Sequence, residues 1–284
     1  MFTVVDYLLL FGFGALGGLL SGMLGIGGGI IYVIVLNTFL ERYGLKDEEL
    51  VKFVLSNSIA ATFFAGISGT IKQRAKGNFY PREILVTGSA GIVSALAVTY
   101  SIVHWNWYSK EIFSIFFMAI LLLMAINMLA TRNKNSTATN AQVTEPYKPF
   151  FGRSIYGFIA AGVATGAVSS LTGLGGGVVL IPLLALIGVD MKRAASISLG
   201  IIPMQALAMG LYYASTSEKS TPQLPDSFGY IIFPVLLPML LGVILVAPLG
   251  VRIAHRLSQQ QIKIMFGMVV VLIFAKTLYS YLYA

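Results

Sequence analysis

Charged residues are scarce in this sequence. Only 11% of its 284 residues are charged, whereas 57% are hydrophobic and the mean hydropathy is +0.83. Because a soluble domain averages about 25% charged residues, this composition argues against a soluble enzyme, a nucleic-acid-binding module or a disordered scaffold. The net charge of +8 comes from basic residues in short loops between apolar runs, which is typical of the signals that orient a membrane protein.

Residues that bind metals or attack substrates are also scarce. The chain has no cysteine and two histidines, which excludes disulfides and thiolate nucleophiles and argues against a metal site. The glycine motif GLGGG lacks the βαβ context of a dinucleotide site, and no nucleophile–base pair is present. We therefore predict a protein that is not an enzyme and that has neither a metal site nor a cofactor.

Long hydrophobic runs fill most of the chain. A spanning helix needs about 20 apolar residues, and most of the apolar segments have that length. The first and the fifth are too long for one span and slightly short for two. The segments comprise residues 7–40, 53–71, 84–103, 112–130, 154–189, 194–213, 228–249 and 262–283.

The two double-length segments contain the same motif. Residues 25–29 read GIGGG and residues 173–177 read GLGGG, and Ser21 precedes the first motif as Ser169 precedes the second. A second set of residues recurs with equal spacing, namely Lys52, Ser56 and Ser58 in the first half and Lys192, Ser196 and Ser198 in the second. We therefore predict a duplication, with repeats at residues 1–131 and 153–284 and a cytoplasmic linker at residues 132–152.

Loop charges predict how the two halves are oriented. Basic residues concentrate in the loops at 72–82 and 251–263 and around the linker, so the positive-inside rule places all three regions in the cytoplasm. They reach the same side only if each glycine-containing segment returns to the side on which it starts. We therefore predict an all-α, polytopic inner-membrane protein with two inverted repeats and both termini outside. Each repeat is a glycine-broken helical hairpin followed by three spanning helices. Parallel repeats, the alternative, violate the rule at three loops.

Acidic residues are absent from the interior of the spans. All eleven fall in loops or at segment edges, although a cation carrier or a carboxylate proton relay normally needs one within a span. The solute is therefore expected to be anionic or neutral.

The glycine motifs are candidates for an anion site. A break of this kind frees backbone N–H groups at the start of the next helix, where the positive end of the helix dipole also favours an anion. Close packing of helices through small residues is the alternative explanation. The predicted donors are Gly27, Gly28 and Gly29 in the first half and Gly175, Gly176 and Gly177 in the second.

A second group of candidates is polar and uncharged. Hydroxyl and amide groups can donate to an oxyanion without the cost of burying a charge. For each of them, a hydrogen bond between helices is the alternative. These candidates are Ser56, Asn57, Ser58, Ser196, Ser198 and Gln205.

The duplicated glycine motifs are accompanied by SNSIAAT, SISLGIIP and RAKGNF. Together these stretches resemble the TauE/SafE family of sulfite and organosulfonate exporters over essentially the whole chain. The resemblance implies a permease that exports a small sulfur oxyanion such as sulfite or sulfoacetate. The halves differ where Tyr32 aligns with Leu180 and Asn57 with Ile197, so a substrate site need not be symmetric.

The sequence thus predicts a transporter that exports a sulfur oxyanion by alternating access. Its expected partners are the small anionic solute and the lipid bilayer, and no nucleic acid is expected. The sequence does not decide whether the protein forms a homo-oligomer. A passive anion channel, or a permease for another small anion, is the alternative, and a non-transporting scaffold is the third. For a transporter, Gly28→Leu is expected to abolish transport while the protein stays folded.

Overall fold

The fold is taken from a computed structural model. The structure describes residues 2–25, 27–105, 107–130, 154–189, 191–216, 226–254, 261, 267–268 and 270–278. The predicted linker at residues 132–152 lies outside the described residues, as does half of the last predicted segment, residues 262–283.

Helices make up most of the described chain. In the first half they are α1 (Val4–Leu24), α2 (Gly29–Arg42), α3 (Asp47–Ala75), α4 (Pro81–His104) and α5 (Lys110–Ala130). In the second half they are α6 (Ser154–Thr172), α7 (Gly177–Leu186), α8 (Met191–Ser215) and α9 (Phe233–Ala254), with helical residues again at 270–278. Two short antiparallel strands, β1 (Ser227–Phe228) and β2 (Ile231–Ile232), precede α9.

Six of the described helices are long and apolar enough to cross a membrane. Their outer faces carry large apolar side chains, such as Leu8, Val93 and Leu245, that are more than half exposed. In water such a surface is unfavourable, whereas in a bilayer it faces lipid tails. The predicted class, an all-α polytopic membrane protein, is confirmed. The six spans are Val4–Met23, Asp47–Ala75, Pro81–His104, Ile155–Thr172, Arg193–Ser215 and Phe233–Ile253.

The first glycine-containing segment is a helical hairpin. α1 ends at Gly25, which has a left-handed φ of 73°, and α2 begins after Gly28, which has a φ of 69°. α2 then returns along α1, because the ring of Phe39 stacks on that of Phe2 at the start of the chain, with 5.6 Å between the centroids. Both ends of this hairpin therefore lie on one side of the molecule.

The second glycine-containing segment has the same form. α6 is followed by Gly173 with a φ of 68°, and Gly176 with a φ of 70° precedes α7. The end of α7 returns to the start of α6, since a Cβ placed on Gly157 would lie 3.2 Å from the side chain of Ile187. The turns are glycine-rich because only glycine adopts positive φ without a steric penalty.

The two halves interlock instead of packing separately. α1 packs along α9, and α4 packs along α6. Gly14 lies against Met239 and Gly22 against Ala247, so α1 and α9 run parallel. These are backbone contacts: a Cβ on Gly14 would lie 2.2 Å from the carbonyl oxygen of Met239. Small residues bring membrane helices this close together.

The third large interface joins α3 to α8. Gly66 lies against Pro203 and Gly69 against Leu199, so residue numbers rise along one helix as they fall along the other. α3 and α8 are therefore antiparallel, although each is the helix that follows the hairpin in its own half. The longest buried run within the described residues, 50–59, lies in the first half of α3, which places this part of the helix at the centre of the molecule.

Candidate functional site

The two glycine breaks meet between the halves. A Cβ placed on Gly29 would lie 2.5 Å from the carbonyl oxygen of Gly173 and 2.6 Å from the Cα of Leu174. A Cβ on Gly27 would lie 3.5 Å from the carbonyl oxygen of Leu174. The breaks are thus in direct backbone contact, and α2 and α7 both begin there. We call residues 25, 27–29 and 173–177 the glycine junction.

Serine hydroxyls from the facing half bind the carbonyls of the junction. Ser58 on α3 donates to the carbonyl oxygen of Gly173 at 2.9 Å, and Ser198 on α8 donates to that of Gly25 at 3.0 Å. Both serines are fully buried. The carbonyls that follow α1 and α6 are therefore satisfied by a reciprocal exchange, and these two hydroxyl protons are already used.

The amide groups of the junction are less satisfied than its carbonyls. Among the described residues, the N–H groups of Gly28 and Gly29, and those of Gly175 and Gly176, have no hydrogen-bond partner. Gly177 differs, because its N–H donates to the carbonyl of Gly175 at 2.8 Å. Free N–H groups at a helix start are the donors that bind anions in proteins.

Two buried polar side chains without partners in the described chain lie next to the first glycine break. The hydroxyl of Tyr32 lies 2.8 Å from the position of a Cβ on Gly28, and the methyl of Thr62 lies 2.9 Å from that on Gly27. Neither Tyr32 nor Thr62 has a hydrogen-bond partner for its hydroxyl within the described chain, and both residues are fully buried. An unpaired polar atom costs free energy in an apolar interior, so these two hydroxyls indicate a ligand or water at this place.

Gln205 lies beside the other glycine break. Its Oε1 lies 3.4 Å from the position of a Cβ on Gly176. Both polar atoms of its amide lack a partner in the described part of the chain, and the residue is 1% exposed. The hydroxyls of Ser21 and Ser169, one turn before the two breaks, are likewise buried and unpaired among the described residues.

The described surroundings of the junction glycines are uncharged. The atoms nearest to the Cβ positions of six of these glycines belong to uncharged residues; the six are Gly25, Gly27, Gly28, Gly29, Gly173 and Gly176. No group of three His, Asp or Glu residues within the described ranges could hold a metal ion. The arrangement can therefore offer hydrogen bonds and helix N-termini to a small ligand, and it offers no formal charge.

Three of the predicted polar residues lie away from the junction. Asn57 donates to the carbonyl of Tyr230 at 3.0 Å and accepts from the N–H of Ile232 at 3.0 Å, so its amide binds the backbone before α9. Ser56 donates to the same carbonyl. Ser196 donates to the carbonyl of Asn78. Of the predicted set, the structure brings only Ser58, Ser198, Gln205 and the glycines together.

These distant contacts form two equivalent latches between the halves. In the α3 latch, Ser56 and Asn57 on α3 bind residues 230–232 before α9. In the α8 latch, Ser196 on α8 binds residue 78, and Arg193 pairs with Glu83 and lies 4.7 Å from the ring centroid of Tyr80. Because α3 and α8 are antiparallel, the latches lie at opposite ends of the molecule.

Sequence reasoning missed Tyr32 and Thr62. Tyr32 lies three residues after the first glycine motif, within an apolar run, and Thr62 ends the stretch LSNSIAAT. Tyrosine at that position resembled an apolar core residue, and its unpaired hydroxyl becomes evident only from the fold.

A polar cavity of about 650 Å³ lies where α2, α5 and residues 276–277 meet. Lys110 and Lys276 line it together with Asp47 and Glu111. Val33 also lines the cavity, and this side chain lies 3.1 Å from the position of a Cβ on Gly173. The cavity therefore ends one side chain away from the glycine junction.

Comparison with known proteins agrees with this architecture. A family model described as "Sulfite exporter TauE/SafE" matches residues 10–277. The chain belongs to this family. It is 27% identical over 252 residues to a probable membrane transporter protein of Methanocaldococcus jannaschii, covering 88% of this chain and 87% of the relative. It is also 25% identical over 274 residues to a probable membrane transporter protein of Haemophilus influenzae, covering 96% and 97%. No solved structure matches the chain. The protein is thus a TauE/SafE-family membrane transporter.

Proposed function

We propose that this transporter exports a small sulfur oxyanion, sulfite or an organosulfonate such as sulfoacetate, and binds it at the glycine junction. One observation carries the proposal. Two helices begin at the same buried place with free amides, beside the unpaired polar groups of Tyr32, Thr62 and Gln205. Free N–H groups at helix starts bind anions, and in secondary transporters such half-helix N-termini hold anionic substrate groups.

The relation between the halves supports a carrier. α3 and α8, the equivalent helices, run antiparallel, and each half contributes one hairpin to the junction. We infer inverted repeats from this geometry, in which each half has its counterpart facing the other side of the membrane. Carriers of this design alternate access by moving one half against the other around a fixed site.

The two latches suit alternating access. Each joins one half to the other at one end of the molecule, and both are formed in the structure. Release of one latch would open that end while the other stays closed. The cavity beside Val33 would provide the route on the side of the 104–111 loop, which the charge pattern places outside.

Thr62→Val tests the binding site. The change removes one hydroxyl and keeps the branched shape. Because a hydrogen bond to a charged ligand contributes about 1.5–3 kcal/mol, we expect the affinity for the oxyanion to fall about ten- to hundredfold. The measurement is concentration-dependent sulfite uptake into inside-out vesicles.

Thr87→Val is the matched control. Thr87 is equally buried and its hydroxyl is also unpaired within the described chain, but it lies on α4 against Gly162, away from the glycine junction. If the affinity for sulfite falls equally in Thr62→Val and Thr87→Val, the glycine junction is not the binding site. In the same vesicles, counterflow of labelled sulfite is expected of a carrier and is absent from a passive channel.

Gly28→Leu, which the sequence suggests as a test, is unsuitable. A Cβ on Gly28 would lie 2.4 Å from the backbone oxygen of Gly17. The expectation that the variant stays folded conflicts with this geometry, because a backbone atom cannot move aside as a flexible side chain can.

A further inference from the structure

The donors at the glycine junction are all neutral. They are backbone N–H groups, the hydroxyls of Tyr32 and Thr62, and the amide of Gln205. Within the described chain, none of the atoms nearest to the Cβ positions of Gly27, Gly28, Gly29 and Gly176 belongs to a lysine, arginine or histidine. Any anion bound here is therefore balanced by dipoles alone.

The dipoles can balance about one negative charge. A helix N-terminus acts as roughly half a positive charge, and two such ends, those of α2 and α7, meet here. The opposing C-terminal ends of α1 and α6 are also nearby, but Ser198 and Ser58 donate to the carbonyls of Gly25 and Gly173. At the positive ends, the N–H groups of Gly28, Gly29, Gly175 and Gly176 have no such internal partner among the described residues.

A second negative charge is disfavoured by desolvation. The free energy of moving an ion into a low-dielectric interior rises with the square of its charge. Desolvation therefore costs about four times as much for a dianion as for a monoanion of equal size. The attraction to the same dipoles only doubles. A neutral, buried site therefore discriminates by charge.

Gln205 adds a preference for a proton on the ligand. Whichever way its amide is turned, it presents one donor and one acceptor, and both atoms are unpaired in the described chain. A fully deprotonated oxyanion has only acceptors and would leave the amide oxygen unsatisfied. A monoanion that still carries an O–H group can satisfy both atoms.

We propose that the glycine junction selects the singly charged, protonated form of its substrate, which for sulfite is hydrogen sulfite, and rejects dianions. This inference rests on the proposed function and favours sulfite over sulfoacetate, which carries two negative charges when both its groups are ionised. Sulfite takes up one proton from the cytosol before binding, and hydrogen sulfite releases it after export. One proton thus leaves with each substrate, and no carboxylate in a span is needed to carry it.

The test compares three ions on the purified full-length protein in lipid nanodiscs. Sulfite changes its charge near neutral pH, methanesulfonate stays a monoanion and sulfate stays a dianion. Ligand that binds the folded state raises the melting temperature in a saturable way, so titrations in mildly acidic and mildly alkaline buffers at constant ionic strength give each apparent affinity.

The expected pattern differs for each ion. Sulfite affinity falls about tenfold for each pH unit above the second pKa of sulfurous acid, in proportion to the remaining monoanion. Methanesulfonate binds with the same affinity in both buffers and so controls for titration of the protein. Sulfate gives no saturable shift.

Other outcomes overturn the inference in distinguishable ways. Saturable sulfate binding, or sulfite affinity that does not change with pH, contradicts charge selection and leaves the anion site itself standing. Failure of all three ions to bind removes the proposed function as well. Gln205→Met keeps the volume and removes both polar atoms. In acidic buffer it should weaken the binding of sulfite several times more than the binding of methanesulfonate. Equal loss for both ions would reject the role of the ligand's proton.

Discussion

At the scale of single residues, Gly28 combines two constraints, a left-handed backbone and a close backbone neighbour. Its φ of 69° is left-handed, and a Cβ would lie 2.4 Å from the backbone oxygen of Gly17. The left-handed conformation alone costs an L-residue about 1–2 kcal/mol. The close contact adds to this cost, because the neighbour is a backbone atom within α1, which cannot move aside as a flexible side chain can.

We therefore expect Gly28→Ala to destabilise the protein by more than about 2 kcal/mol. Gly44 has a φ of 89° but open space around it, so Gly44→Ala should lower the stability only by the cost of the left-handed conformation. Gly12 has helical φ and open space around it, so Gly12→Ala should not lower the stability. Melting temperatures in one detergent test this order, and an unaffected Gly28→Ala protein would contradict the tight junction.

The sequence indicates which glycines form the junction but not which partners its polar candidates bind, for a physical reason. Positive φ restricts a position to glycine locally, so a duplicated motif reveals it. The partner of Asn57, in contrast, is the carbonyl of Tyr230, 173 residues further along the chain. An amide can bind a ligand or a distant carbonyl equally well, and only the packing of α3 against the segment before α9 decides between them.

At the scale of helices and hairpins, each hairpin tip is held to the facing half by one serine. Ser58 and Ser198 occupy equivalent positions and bind equivalent carbonyls, those of Gly173 and Gly25. The exchange is reciprocal, so neither tip can move without breaking a bond to the other half.

Ser58→Ala and Ser198→Ala should each lower stability by a similar amount. The loss leaves a buried carbonyl unpaired, which costs about 1–3 kcal/mol in soluble proteins, and hydrogen bonds between membrane helices average about 0.6 kcal/mol. We therefore expect each variant to lose about 0.6–3 kcal/mol of unfolding free energy, measured by reversible unfolding in mixed micelles. Ser89→Ala is the control, since its hydroxyl is exposed and bonds within its own helix. Variants that match this control would show that the exchange does not hold the tips.

At the scale of the whole molecule, the two halves are interlocked as well as duplicated. α1 packs on α9 and α4 on α6, so the largest helix interfaces join one half to the other. Hydropathy and loop charge predicted the spans and their order, because both report the position of a segment relative to the membrane. Neither reports which helix is the neighbour of which, and this is why the interlocking was not predicted.

The orientation of the halves can be tested at three matched positions. Gly44, Gly77 and Gly188 each have positive φ, and a Cβ at any of them would meet nothing within 4 Å. Gly44 follows the first hairpin and Gly188 follows the second, while Gly77 lies between α3 and α4. Because the chain has no cysteine, a single cysteine at one of these positions is the only thiol.

Inverted repeats place the ends of the two hairpins on opposite sides of the membrane. A membrane-impermeant maleimide should therefore label Gly44→Cys on intact cells and leave Gly77→Cys and Gly188→Cys unlabelled, with the reverse pattern in inside-out vesicles. The basic loop at residues 72–82 fixes which side is the cytoplasm. Parallel repeats would instead place Gly44→Cys and Gly188→Cys on the same side. That result would be incompatible with two hairpins entering from opposite sides to form one site.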